Sequence, residues 1–88
     1  MQVSWMCSLL MASPSNKVRG VIWEEGNSMG AVTIWMVTPD SFLIEVEDYQ
    51  KDAPFVYDWR TCNYFDLTIR LKSSGFDLED HNLWRIVQ

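Results

Sequence analysis

Eighty-eight residues suffice for one small domain, 1–88, able to bury roughly 60–65% of its unfolded surface. Hydrophobic residues make up 48% of the chain and charged residues 22%, which excludes a disordered tail. Twelve acidic against seven Lys and Arg side chains leave a net charge of −5, which disfavours duplex nucleic acid as a partner, because neutralising phosphates needs a basic face.

In chain order, the apolar start has no Lys or Arg before it and is far too short to span a bilayer. The chain therefore reads as a soluble, cytoplasmic protein with no membrane partner. Ser4 offers an N-cap, and Trp5, Leu9 and Met6, Leu10 fall at i, i+4 spacing, so a short helix is expected over 4–12. Ser13-Pro14-Ser15-Asn16 stops it. The period then changes to two. Lys17–Glu24 is rich in β-branched and aromatic residues, and Gly26–Gly30 supplies a turn. Ala31–Thr38 is apolar on both faces, as befits a central strand or a subunit contact. Ser41–Tyr49 alternates Phe42, Ile44, Val46 with Leu43, Glu45, Glu47. Phe55–Trp59 follows as a strand. Tyr64–Lys72 alternates most cleanly, with Phe65, Leu67, Ile69 and Leu71 expected inward. A polar connection leads to a last short strand at Leu83–Val87. The fold class is α+β: a short N-terminal helix followed by an antiparallel sheet of about six strands.

The chemistry the residues allow is binding rather than catalysis. His81, the single histidine, has no nucleophile motif beside it, so the chain is read as a non-enzyme. No ligand spacing proposes a metal, and the four glycines form no phosphate loop, so no cofactor is expected. Cys7 and Cys62 read as buried free thiols in a reducing compartment, with a disulfide between them as the alternative. Five Trp, four Phe and three Tyr are more large rings than one thin core needs. Trp23, Trp35, Tyr57, Trp59, Tyr64 and Trp84 can stack on a base, and Arg19, Arg60, Arg70 and Arg85 can pair with phosphate. A ring over a base contributes about 1–3 kcal/mol. A different reading starts from Asp40, Glu45, Glu47, Asp48, Asp52 and Asp58, which Lys51 alone opposes. It makes the chain an acidic inhibitor, such as an immunity protein or anti-CRISPR factor, directed at a basic partner.

The order of these segments resembles the second class of phage Thoeris anti-defence sponge proteins. Ser4-Trp5-Met6-Cys7 with Leu9-Leu10 is similar to that family's opening helix. Lys17-Val18-Arg19 with Trp23, then Met29 to Asp40, keep its spacing, and Pro54-Phe55-Val56-Tyr57 resembles its Pro-Tyr-Ile-Tyr strand. Ser74-Gly75-Phe76-Asp77-Leu78 and Trp84-Arg85-Ile86-Val87 are similar to its closing elements. Where the family usually has Trp-Asn-Gly, this chain has Trp23-Glu24-Glu25-Gly26. The resemblance implies a homo-oligomer, often a tetramer, that binds an immune nucleotide signal without cleaving it. A cyclic ADP-ribose isomer or a cyclic oligonucleotide would be sequestered in the host cytoplasm. By position, Trp23 would be the stacking aromatic and Asp77 a polar contact. Arg19 and Tyr57 follow from strand position and chemistry.

Overall fold

The computed structural model describes residues 4–49, 55–61 and 63–87, without the side chains of residues 55–58. Helix α1 spans Trp5–Ala12, and the Ser4 side chain caps it by accepting the Cys7 N–H at 3.1 Å. Strands β1 (Lys17–Glu24), β2 (Asn27–Thr38), β3 (Ser41–Asp48) and β4 (Phe55–Thr61) then form an antiparallel run. Helix α2 (Tyr64–Ser73) follows, and β5 (Trp84–Ile86) returns to pair with β1. The sheet order is β4-β3-β2-β1-β5, which makes β2 the central strand, as its two apolar faces require.

Direct cross-strand partners project from the same face, so the register defines the core. Val18, Ile34 and Ile44 lie in one row, and Gly20, Val32 and Val46 in the next. Against these pack Met6 and Leu10 of α1, Leu67 and Leu71 of α2, and Phe42, Phe76, Leu78 and Trp84. Both helices thus cover one face of the sheet, α1 over β1, β2 and β5 and α2 over β3 and β4. Among the described residues the other face carries no helix. Ser13 is buried and ties the end of α1 to the C-terminal strand, its Oγ donating to the Val87 carbonyl at 2.9 Å.

The sheet has five strands because Tyr64–Lys72, expected as a strand, is helical. Residues at i and i+4 share a face in both periods, so the pair Leu67 and Leu71 fits either reading. Phe65 and Ile69 separate them: expected inward, they are 75% and 53% exposed. The helix is fixed at its ends. Asn63 Oδ1 accepts the Asp66 N–H at 2.7 Å, and Asp66 pairs with Arg70 one turn on. At the far end Phe76 N donates to Leu71 O and Gly75 N to Lys72 O, with Gly75 at φ 90°. These are the two bonds of a Schellman cap, whose left-handed position glycine fills without cost, and they drop Phe76 into the core beside Leu71.

The β1–β2 hairpin turns on Glu25 and Gly26, with φ of 52° and 81°. Two consecutive positive φ values define a type I′ turn, which favours Asn at its first central position. β2 accordingly starts four residues earlier than Ala31, at Asn27. Glu25→Asn is expected to raise the unfolding free energy by about 1 kcal/mol, because Asn adopts the left-handed region at less cost than Glu. A urea titration measures it, and an unchanged or lower midpoint contradicts this account of the turn.

Candidate functional site

On the helix-free face, the β1–β5 register sets Arg19 directly opposite Arg85. Two like charges at opposed positions repel, and each is held by separate groups. Arg19 Nη2 donates to Glu47 Oε2 at 2.7 Å and to the Tyr49 hydroxyl at 3.0 Å, and Nη1 donates to the buried Thr33 Oγ1 at 3.1 Å. Tyr49 in turn donates to Glu47 Oε2 at 2.7 Å. Arg85 Nη1 instead donates to the carbonyls of Asn82 and Trp84, at 3.1 and 2.9 Å. Among the described residues Arg85 makes no ion pair, whereas Arg19 is matched by Glu47.

These two arginines line an open groove of about 350 Å³ together with Val21, Trp23, Asn82 and Leu83. Trp23 stands at its rim, 65% exposed, an unusual position for the largest apolar side chain. A larger concavity of about 390 Å³ opens near the C-terminal end of α2, lined by Ile22, Trp59 and Phe76 together with Glu24, Glu47 and Asp48. Its three carboxylates disfavour an anion. The arginine groove, though smaller, is the one whose chemistry suits an aromatic anion.

The network sets the ionisation of its members. Glu47 is held below the usual carboxylate range, first by the Tyr49 hydroxyl and then by Arg19, while burial works the other way. Burial opposes the charge on Arg19, but the hydrogen bond and attraction of Glu47 outweigh it and raise its pKa. Tyr49 is raised, chiefly by its bond to Glu47. A carboxyl whose folded pKa lies below its ordinary 4.5 stabilises fully above that value, and this contribution disappears as the pH falls through the folded-state value. Stability is therefore expected to fall on the acid side of 4.5. Tyr49→Phe, which removes the leading cause, should flatten that fall in urea midpoints taken at successive pH values. An identical acid-side loss in the two proteins contradicts the role given to Tyr49.

Two of the four sequence-derived site residues, Arg19 and Trp23, thus come together in one groove. Asp77 is not among its lining residues. It forms a turn after α2, where Oδ1 accepts the Glu79 N–H at 2.9 Å and its carbonyl accepts the Trp84 indole N–H at 3.0 Å. Tyr57 pairs through its backbone with Val46 on β4, three strand spacings from β1, or about 14 Å, and its side chain lies outside the described structure. Of the Trp23-Glu24-Glu25-Gly26 segment, Glu24 lines the other concavity and Glu25 lies in the turn, so neither acid lines the Trp23 groove. Of the acidic stretch, Glu45 stands in register opposite Asp58, Glu47 is matched by Arg19, Asp40 sits in the β2–β3 turn, and Asp52 lies outside the described residues.

Cys7 is a half-buried free thiol, and Cys62 lies outside the described residues. His81 is exposed and stacks on Trp5 with centroids 4.0 Å apart. Among the described residues there is no group of three or more His, Cys, Asp and Glu placed to hold a metal ion, and no helix long and apolar enough to cross a membrane. Compared with protein-family models, curated proteins and solved structures, the chain matches none.

Proposed function

We propose that this protein binds and sequesters a small nucleotide signal without cleaving it, as the Thoeris anti-defence sponges that it resembles in sequence do. The observation that carries the reading is the groove in which Arg19 and Arg85 stand on adjacent strands beside the exposed ring of Trp23. A guanidinium pairs with phosphate through two parallel hydrogen bonds, and an exposed indole offers a face to a base. Together they supply the two kinds of contact a nucleotide needs. The resemblance extends the proposal to a cyclic ADP-ribose isomer or cyclic oligonucleotide as the signal, and to a homo-oligomer, up to a tetramer, working in the host cytoplasm.

The purified chain is incubated with cyclic ADP-ribose isomers and cyclic dinucleotides, separated from free ligand and denatured, and the released material is analysed by mass spectrometry. Recovery of an intact nucleotide in near-stoichiometric amount is expected. Recovery of a cleaved product, or of no nucleotide from any of them, overturns the reading. Sedimentation of the same sample tests the oligomer, which a monomer contradicts.

A further inference from the structure

We infer that the outer edge of β4 is an interaction surface for a second copy of this chain, whose own β4 adds to it in antiparallel register centred on Trp59 and so continues the sheet from one copy into the other. The inference rests on the homo-oligomer part of the reading above and gives that oligomer a contact. β4 closes one end of the sheet, and among the described residues nothing pairs with its outer side. The strand at the opposite end, β5, has only three residues. β4 has seven, Phe-Val-Tyr-Asp-Trp-Arg-Thr, paired with β3 without a bulge. It contains neither proline nor lysine, two of the residues that commonly keep sheet edges apart. When two identical edges pair antiparallel, the two-fold axis runs perpendicular to the merged sheet, so residues that meet share a face and the register is centred on a residue. Charge selects which one. A centre at Asp58 or at Arg60 sets a charge against its own copy, whereas a centre at Trp59 sets Asp58 of each chain opposite the partner's Arg60. Trp59, half-buried at the margin of the core, then meets its own copy at the axis.

The same register relieves an opposition inside the chain. Glu45 of β3 stands directly opposite Asp58, and like charges so placed are destabilising. The partner's Arg60 takes the position on the other side of Asp58. Arg60 itself is exposed, stands opposite Leu43 and makes no ion pair among the described residues. Alternate residues of an edge strand turn their N–H and C=O groups away from the sheet, so an overlap from Tyr57 to Thr61 forms about four to six main-chain hydrogen bonds between chains. The groove of Arg19, Trp23 and Arg85 lies on β1 and β5, toward the other end of the sheet, and stays open in both copies.

The test exchanges charge across the seam and reads the mass of the full chain by sedimentation equilibrium. The unmodified protein is expected at twice the monomer mass or a multiple of it. Asp58→Arg and Arg60→Asp each set like charges opposite one another between the copies, and each is expected to weaken association by about tenfold or more. An equimolar mixture of the two variants sets opposite charges at both positions again, and should restore association to within about threefold of the unmodified protein. Amide exchange on the unmodified chain needs no variant. Every amide from Tyr57 to Thr61 is expected to be slow, where a free edge protects only alternate ones. A monomer overturns the inference and the proposed oligomer together, while nucleotide recovered from the same sample reports on the binding reading separately. An oligomer that neither variant weakens, or one whose β4 amides still alternate between fast and slow exchange, overturns the β4 contact and leaves the oligomer standing. Variants that dissociate and stay apart on mixing overturn the register centred on Trp59.

Discussion

Replacing Trp84 by alanine is expected to lower the unfolding free energy by about 3–5 kcal/mol, the largest effect of any single substitution considered. Trp84 is 2% exposed and belongs to β5, a three-residue strand otherwise held by its pairing with β1 and by the Ser13 and Ser15 hydroxyls on the Val87 carbonyl. Its indole fills the space above Gly20, where an added Cβ would come within 3.0 Å of the ring atoms Cε3 and Cζ3. The absent side chain of Gly20 is therefore part of the ring's site. The ring also packs at 6.3 Å from Phe76, and its N–H satisfies the Asp77 carbonyl. Removing it opens a cavity and leaves that carbonyl without its donor, two costs that add. Loss on that scale is a large share of the stability of an 88-residue domain, so much of the population should be unfolded at physiological temperature. Trp84→Phe should fall between the two, keeping most of the volume and losing the bond. Gly20→Val tests the same contact from the other side and should also be strongly destabilising. A urea midpoint for Trp84→Ala within about 1 kcal/mol of the unmodified protein contradicts this packing.

The second large effect concerns binding and leaves the fold alone. Trp23→Ala is expected to weaken nucleotide binding by about 5- to 150-fold, equivalent to the 1–3 kcal/mol of one stacked base. Its ring is 65% exposed and contributes little to the core, so stability should change by less than about 0.5 kcal/mol. Arg85→Ala should act similarly on binding, since it removes the one arginine of the groove that no carboxylate matches among the described residues. Trp35→Ala serves as a control. That ring carries the Lys17 ammonium at 4.8 Å and is not among the residues lining the groove, so binding should be unchanged. If Trp23→Ala and Trp35→Ala weaken binding equally, the ligand is not stacked where this account puts it.

How much of this was legible in the sequence depends on the range of the signals. α1 was readable from end to end, because an N-cap serine and a proline-containing stop act within a few residues. β1 was readable from its β-branched and aromatic content, and β3 from alternation, which a half-buried strand imposes directly. α2 was misread because Phe65, Leu67, Ile69 and Leu71 also satisfy a period of two. The deciding signals were present at its ends: Asn63 three residues before Asp66, Asp66 four before Arg70, and Gly75 after Ser74. Termini carried more information there than the apolar pattern, because two of the four apolar side chains face solvent. The exposure of Phe65 and Trp23 also accounts for part of the aromatic surplus.

For the site, residue type offered six aromatics and four arginines, and it was the position of Trp23 in the family resemblance and the strand position of Arg19 that singled these two out. Their neighbours were a different matter. Glu47 and Tyr49 reach Arg19 only once β1, β2 and β3 are in register, and Arg85 meets it only because the end of the chain pairs with β1. No local spacing encodes a contact between residues 19 and 85. Asp77 was chosen by position, and its immediate partners are a turn and the Trp84 indole.

The most direct measurement of the central claim is a proton–nitrogen correlation spectrum of the full chain, followed while cyclic ADP-ribose, cyclic di-AMP and cyclic di-GMP are added in turn. With a ligand that binds, the indole signal of Trp23 and the guanidinium Nε signal of Arg85 should move together and saturate. The indole signal of Trp84, held on the Asp77 carbonyl, should stay in place. Unmoved Trp23 and Arg85 signals with all three ligands, or shifts centred on Trp59 in the acidic concavity, would contradict the account.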